Sequence, residues 1–196
     1  MKLHIGYALA FAFASITGCA VKESPMHIYT LDTTTRTQKR CSHKSYANRI
    51  VQIAYPKTLA SNGGVTIAFS YSPQERGYYH YAQWEESLGK LFQSSVIQAI
   101  ERSACFKAVT LAGSSVTPDL KLESTIYDFS HHIRSGDSYA VVSVGFSLVD
   151  VRNGKLLRHR RFTYKEPTAS LDAKGYVEAA NRALTHLLDD LIKWVD

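Results

Sequence analysis

The residue types that could perform metal or acid–base chemistry gather in one stretch, where Asp128 and Asp137 flank the adjacent pair His131 and His132. Imidazole and carboxylate groups are common zinc ligands and common general acids or bases. On a β-strand, however, consecutive side chains point to opposite faces of the sheet. The two imidazoles therefore cannot easily share one ion, and the favoured interpretation is a polar strand end followed by a turn.

The motifs of the common catalytic and nucleotide-binding sites are absent from the sequence. It contains no His-Glu-x-x-His, no Cys-x-x-Cys, no Gly-x-Ser-x-Gly and no Walker loop. Its serines are frequent, but none stands in a recognisable nucleophile setting. We therefore expect that this protein is not an enzyme and that it holds neither a metal nor a cofactor.

Cys19 follows an N-terminal segment with a positive start and an apolar run from Ile5 to Ile16. Crossing a bilayer takes about 20 apolar residues, so this run is too short for a membrane span and instead has the length of a secretory signal. The segment closes with Ile-Thr-Gly-Cys, which resembles a bacterial lipobox, where small residues admit the signal peptidase and the thiol receives diacylglycerol. An ordinary signal peptide with a coincidental cysteine, or a buried helix, is the alternative.

The chain is accordingly divided into a lipoprotein signal peptide at 1–18, a lipidated N-terminus with a short tether at 19–26, and one domain at 27–196. Acyl chains on Cys19 would hold the protein on a membrane, since each buried methylene adds about 0.8 kcal/mol. Ala20 occupies the position where Asp usually retains a lipoprotein in the inner membrane. We therefore expect an outer-membrane protein that faces the periplasm.

The other two cysteines of the chain, Cys41 and Cys105, would then lie in an oxidising compartment, where a single disulfide between them is possible. Cys105 ends an amphipathic segment, and a buried free thiol is equally normal there. The sequence leaves both possibilities open.

An aromatic run is the first candidate contact surface. Tyr78, Tyr79, Tyr81 and Trp84 stand within seven positions of one another. Aromatic side chains dominate many interfaces, so this run could line a lipid groove or a protein contact. Alternatively, it packs the start of a helix onto a sheet, and the sequence does not decide between the two.

A cluster of cations around a turn is the second candidate contact surface, and Arg158, Arg160 and Arg161 are its central members. Such a cluster could bind anionic lipid headgroups or an acidic partner. The favoured alternative is a solvated edge strand whose charges prevent aggregation between sheets. The full cluster comprises Arg152, Lys155, Arg158, Arg160, Arg161 and Lys165.

The composition restricts the class of protein. With 196 residues, 45% of them apolar and 20% charged, the chain suits one globular domain and excludes a largely disordered protein. Three cysteines are too few for a disulfide-built scaffold. A net charge of +6 is mild and argues against a dedicated nucleic-acid binder.

Two amphipathic stretches predict helices that position these residues. One runs from Trp84 to Glu101 and the other from Asp172 to Val195, with apolar residues at spacings of three and four. Alternating apolar residues predict strands at 27–31, 50–54, 65–71, 106–111, 139–151 and 156–164, and a longer strand that opens with Leu120, Leu122 and Ile126. This order favours an α+β fold of a single domain, with a mixed β-sheet and two long amphipathic helices packed on one face.

Six short motifs follow one another along the chain: Tyr29-Thr30-Leu31, Ile53-Ala54-Tyr55-Pro56 with Leu59, the run from Tyr78 to Leu88, Phe106-Lys107-Ala108-Val109, the turn from Asp150 to Gly154, and a terminal helix ending near Trp194. In order and spacing they resemble the ABC-type transport auxiliary lipoprotein family over nearly the whole mature chain. One position departs from the family pattern, since Gln83-Trp84 stands where Arg-Trp is usual.

The resemblance implies a function in the envelope. Members of the family serve transport systems that move lipids or other hydrophobic molecules, together with an inner-membrane ABC transporter and an MCE-domain protein. This chain would be an outer-membrane accessory that docks to the MCE-domain protein, with a homo-oligomer as a possible form and no nucleic acid as partner. The alternatives are an envelope lipoprotein that regulates a cell-wall synthase or aids outer-membrane assembly without lipid cargo, and a ligand or lipid carrier that acts alone.

Overall fold

The computed structural model describes residues 25–32, 40–43, 45–59 and 63–196, and these form nine strands and two helices. The predicted signal peptide and Cys19 lie outside this range. In chain order the elements are β1 (His27–Tyr29), β2 (Ile50–Ile53), β3 (Lys57–Thr58), β4 (Thr66–Ser72), β5 (Glu75–Trp84), α1 (Leu88–Ser103), β6 (Ala108–Thr110), β7 (Leu120–Arg134), β8 (Asp137–Asp150), β9 (Lys155–Pro167) and α2 (Ala173–Val195).

The long strand β7 organises the sheet. One of its edges pairs antiparallel with β8, and β8 pairs antiparallel with β9. The other edge of β7 pairs in parallel with β2, β3 and β4 in succession. Strand β4 pairs with β5, β5 with β1, and β6 with β2. At the level of β4, the order across the sheet is therefore β1-β5-β4-β7-β8-β9.

Both helices pack on one face of this sheet. Helix α2 buries the stripe that its sequence predicts, with Tyr176, Leu184 and Leu188 fully enclosed against β8 and β9. Burying a large apolar side chain contributes about 1.5–3 kcal/mol, so the stripe is the main attachment of the helix. At its start, the carboxylate of Asp172 accepts a hydrogen bond of 2.8 Å from the backbone N–H of Gly175. The predicted α+β fold of a single domain is confirmed.

The strands β3 and β5 are the elements that the sequence pattern misses. The spacing predicts that Trp84 opens the first helix, but Trp84 ends β5 and α1 begins at Leu88. The side chains of Trp84 and Leu88 enter the same core from consecutive elements. Their separation of four residues therefore imitates a helical spacing by coincidence. The burial of β5 alternates from Arg76 to His80 and again from Tyr81 to Trp84, but with a change of phase between the two stretches, so one continuous two-residue period is absent.

A disulfide and hydrogen bonds to the side chain of Asp196 attach residues 40–43 to the helices. Cys41 and Cys105 are joined, with their Cα atoms 5.1 Å apart. Beside them, the backbone N–H groups of Ser42 and His43 each donate a 2.8 Å hydrogen bond to the carboxylate of Asp196. The Ser42 backbone bond is the main cause that holds the pKa of Asp196 well below its usual range. The loop at Cys41 is thereby attached to the ends of both helices.

Candidate functional site

The structure separates the two groups of candidate contact residues. The aromatic run lies on β5, next to the edge strand β1, whereas the cations lie on β9 at the opposite edge. Strands β4, β7 and β8 stand between them, a separation of about 19 Å at the usual spacing of neighbouring strands. The two groups therefore form two surfaces and not one combined site.

An irregularity in β5 shapes the first surface. Thr66 pairs with Gln83 and Ala68 pairs with Tyr78, so two steps along β4 correspond to five steps along β5. The additional residues of β5 cannot all keep the ladder with β4, as in a β-bulge. The bulged segment contains Tyr79 and Tyr81, and it explains why the alternation of burial changes phase between His80 and Tyr81.

The bulge opens a groove of about 400 Å³ between β5, β4 and the start of α2. The ring of Phe69 fills the space beside Gly77, where a β-carbon would collide with it. The same ring packs against Tyr79 at 5.1 Å between centroids. We call this concavity the β5 groove, and it is lined by Phe69, by residues 77–82 of β5, and by Asp172 and Ala173.

A chain of hydrogen bonds fixes the floor of the β5 groove. The hydroxyl of Tyr79 lies 2.6 Å from Nδ1 of His131, and Nε2 of His131 lies 2.7 Å from the Ser138 hydroxyl. Ser138 lies in turn 2.6 Å from the hydroxyl of Thr168. The chain thus links β5, β7 and β8 to the loop that leads into α2.

Both titratable members of this chain are neutral at neutral pH. Burial is the main cause that lowers the pKa of His131 to about 4, and the neighbouring His132 adds to the effect. Burial also raises the pKa of Tyr79 well above its usual range, and the carboxylate of Asp172 adds to it. The neutral imidazole of His131, hydrogen-bonded through both ring nitrogens, therefore connects β5 and β8 across β7.

The four aromatic candidates differ in how far a binding partner could reach them. Tyr81 is 54% exposed, Tyr78 is also exposed, and Tyr79 is half-buried. Trp84 is 1% exposed and packs edge-on against Phe129 and Tyr176. The surface available for contact therefore consists of the tyrosines, while Trp84 belongs to the core.

The adjacent histidines point to opposite faces, as the strand geometry predicts. His131 enters the helix-covered core, whereas His132 lies on the other face with Nε2 at 2.9 Å from a carboxylate oxygen of Asp128. Their hydrogen-bond partners are therefore separate. Across the described ranges, no group of three or more His, Cys, Asp and Glu side chains could hold a metal ion.

The arginines of β9 project from both faces of the sheet edge. Arg158 and Arg160 pair with residues of β8 that face the helices, whereas Arg161 pairs with Gly145 on the other face. The Arg158 guanidinium donates to the carbonyl of Trp194. Arg158 is therefore half-buried and structural, while the other two present exposed charge.

The exposed arginines have aromatic neighbours. The guanidinium of Arg160 lies 5.0 Å from the ring centroid of Phe162, and that of Arg161 lies 3.9 Å from the ring of Tyr127. Arg161 also donates a 2.9 Å hydrogen bond to the hydroxyl of Ser143. These contacts hold two cations in fixed positions at the edge of the sheet.

Phe69 of the β5 groove and two exposed residues near it were not predicted from the sequence. Phe69 and Tyr71 come from β4, with their rings 5.2 Å apart, and Leu171 comes from the loop before α2. Leu171 accepts a hydrogen bond from Tyr79 through its carbonyl oxygen. The exposed apolar side chains of Tyr71 and Leu171 were the only signal that could have identified them, and a single sequence does not show exposure.

Neither helix in the part of the chain that the structure describes is long and apolar enough to cross a membrane. This holds for α2 because polar and charged residues occupy the face opposite its apolar stripe.

Comparisons with known proteins agree with the fold. The sequence model of the family described as the ABC-type transport auxiliary lipoprotein component matches residues 29–191. The XCC0632 protein of Xanthomonas campestris superposes with a TM-score of 0.73 at 22% identity, covering 85% of this chain and 93% of that one.

Two further solved structures share the fold. An uncharacterised protein superposes with a TM-score of 0.68 at 13% identity and covers 88% of this chain and 100% of its own. The PelC dodecamer of Paraburkholderia phytofirmans gives a TM-score of 0.50 at 16% identity, over 74% of this chain and 89% of that one. No curated protein matches the chain.

Proposed function

The chain belongs to the family of ABC-type transport auxiliary lipoprotein components, and on that premise we propose that it serves its transport system as a docking subunit. An auxiliary component works with partner proteins, and a lipoprotein of this family is anchored to a membrane of the envelope. Our proposal specifies the anchor, the partner and the surface that binds it. The protein acts by binding and performs no catalysis of its own.

Cys19 carries the anchor in this proposal. Cleavage before Cys19 and acylation of its thiol and amine would attach the domain to the outer membrane, with the fold in the periplasm. Several acyl chains on one residue hold a protein on a bilayer almost permanently. Ala20, in place of Asp, supports the outer-membrane assignment.

The partner in this proposal is the MCE-domain protein of an ABC system that moves lipids or other hydrophobic molecules. The single observation that carries the docking site is the position of the β9 cations. They lie at the sheet edge opposite to β1, and β1 is the strand that the anchored N-terminus enters. A cationic edge turned away from the anchor can reach an acidic surface of a partner that spans the periplasm.

Copies of this chain are the second partner that we propose. The PelC protein with the same fold is described as a dodecamer, and the cationic β9 edge could contact an acidic patch of a neighbouring copy. The mass of the acylated protein in detergent measures this directly. A monomer that still binds the MCE-domain protein would remove the oligomer and leave the docking proposal in place.

A charge reversal tests the docking surface. The full acylated chain, extracted from membranes, should co-purify with the MCE-domain protein, and Arg160→Glu together with Lys155→Glu should reduce the recovered partner at least about tenfold. Lys107→Glu with Lys57→Glu is the matched control, because these exposed cations lie outside β9 and carry the same change of charge. Equal loss in both double variants would overturn the assignment to β9.

The recovered partners also separate the competing functions. A cell-wall synthase or an outer-membrane assembly factor in place of the MCE-domain protein would replace the transport function by a regulatory one. Recovery of bound lipid without any protein partner would favour a carrier that acts alone.

A further inference from the structure

Exposed apolar side chains gather around one edge of the sheet. Ile28 on β1 is 62% exposed and Leu171 beside the β5 groove is 66% exposed. Tyr81 lies on the bulged segment of β5 and is 54% exposed. The exposed apolar residues of this edge are Met26, Ile28, Tyr71, Tyr78, Tyr81 and Leu171, and we call them the apolar collar.

Pairing and ring contacts hold the apolar collar together. β1 enters the sheet with His27 in register with Ala82, so Met26 lies next to the end of the bulged segment. Tyr71 reaches the β5 groove through its contact with Phe69. The collar therefore combines residues at β1, β4 and β5 with Leu171 of the loop before α2, whose carbonyl accepts a hydrogen bond from Tyr79. Exposed apolar clusters of this kind mark interaction sites.

The length of the tether limits what can cover this surface. Six residue steps separate Cys19 from Pro25, the first residue that the structure describes. A fully extended chain spans about 3.3–3.6 Å per residue, so this tether reaches about 20–22 Å at most. If Cys19 is acylated, Pro25 cannot lie farther than that from the bilayer, and β1 begins two residues later.

We infer that the apolar collar rests on the surface of the phospholipid bilayer to which the chain is anchored, with Met26, Ile28 and Leu171 against acyl chains and Tyr78 and Tyr81 at the level of the headgroups. This inference rests on the acylation of Cys19 in the proposed function. Tyrosine suits the boundary between headgroups and acyl chains, because its ring is apolar and its hydroxyl is polar.

The backbone of the edge sets the depth of this contact. Among the described residues, the outer edge of β1 pairs with no other strand, so its N–H and C=O groups need water or headgroups as partners. The backbone of β1 consequently stays at the level of the headgroups, and only the apolar side chains of the collar reach the acyl chains. Because its side chains are uncharged, the contact should not require anionic lipids.

Spin labels on the full acylated chain in phosphatidylcholine vesicles test this contact. Ile28→Cys and Tyr81→Cys place nitroxides in the apolar collar, and Leu156→Cys, on β9 and 55% exposed, is the matched control. We expect the ratio of accessibility to oxygen over accessibility to a water-soluble nickel chelate to be several-fold higher at 28 and 81 than at 156. Equal ratios at the three positions would overturn the inference.

Two further readouts separate the possible failures. Flotation with the vesicles shows whether the chain is anchored. If the chain floats but all labels are exposed to water, only the bilayer contact is contradicted. If the chain does not float, both the anchor and the bilayer contact are contradicted. Adding anionic lipid should leave the ratios unchanged. A contact that forms only with anionic lipid would overturn the apolar collar in favour of attraction by the cations.

Discussion

The imidazole of His131 lies flat against the phenol ring of Tyr176, with ring centroids 5.4 Å apart and planes 17° from parallel. Tyr79 stacks on the same imidazole at 6.2 Å. The three rings join β5 and β7 to α2, directly below the β5 groove. A fully buried imidazole in this position makes the fold sensitive to acid, because protonation would place a charge inside the stack.

The stability of the protein should fall as the pH falls from about 7 to 4. The unfolded chain protonates His131 near pH 6.5, but the folded chain protonates it only near pH 4. Between these values the unfolded state binds more protons, so the free energy of unfolding decreases with decreasing pH, by up to about 3 kcal/mol. Urea unfolding at a series of pH values, followed by tryptophan fluorescence, measures this change.

Two variants test whether His131 causes this pH dependence of stability. His131→Phe keeps an aromatic ring in the stack but removes the titrating group, so most of the slope between pH 6.5 and 4.5 should disappear. His80→Gln changes an exposed histidine and should keep the slope of the unmodified protein. If His131→Phe retains the full slope, another group causes it.

Trp84 should behave as a core residue in mutagenesis. Because its side chain is almost entirely buried against Phe129 and Tyr176, Trp84→Ala should cost about 3–5 kcal/mol of stability. Tyr81→Ala removes an exposed ring and should change stability by less than about 0.5 kcal/mol. Urea midpoints measure both, and comparable losses in the two variants would contradict the division between core and surface.

Gly175→Ala should destabilise the protein although alanine favours helices. A β-carbon at this position would lie 2.7 Å from the carbonyl oxygen and 2.8 Å from the nitrogen of Ser170, so the loop before α2 would have to move. We expect a loss of about 1–3 kcal/mol, against a gain of up to about 1 kcal/mol from helix propensity alone.

Gly63→Ala is the matched control for that substitution. A β-carbon at position 63 meets no atom within 4 Å, so this variant should be neutral or slightly more stable. Thermal unfolding of both variants measures the difference. A gain of stability in Gly175→Ala would show that the loop before α2 is not packed as tightly as described.

The disulfide should form in the mature protein and contribute to its stability. It closes a loop with a sequence separation of 64, for which chain entropy alone predicts about 4 kcal/mol. Intact mass after alkylation should show two additional alkyl groups only when a reductant is present. The double variant Cys41→Ser with Cys105→Ser should unfold at lower urea, and an unchanged midpoint would leave the disulfide without a stabilising role.

The helices and the hairpin of β8 and β9 could be predicted because their signals are local. The apolar stripe of α2 follows one period, and Asn153-Gly154 marks the turn between β8 and β9, where Gly154 adopts a φ of +67°. The alternation of β8 likewise survives because one of its faces packs on the helices.

The site was harder to predict because its residues meet only through the order of the strands. The distance between Tyr81 and Arg160 depends on β4, β7 and β8 lying between them, and no local pattern states that order. β5 escaped prediction because its bulge shifts the phase of the alternation within a run of closely spaced aromatic residues. The groove joins residues from β4, β5 and α2, which are far apart in the sequence.

Photo-crosslinking in intact cells is the most direct test of the account, since it examines both edges of the sheet at once. A benzophenone amino acid at position 160 on β9 should crosslink to the MCE-domain protein, and the same group at position 81 should crosslink to phospholipid. A probe at 81 that captures the MCE-domain protein while the probe at 160 captures lipid would contradict the orientation on which the account depends.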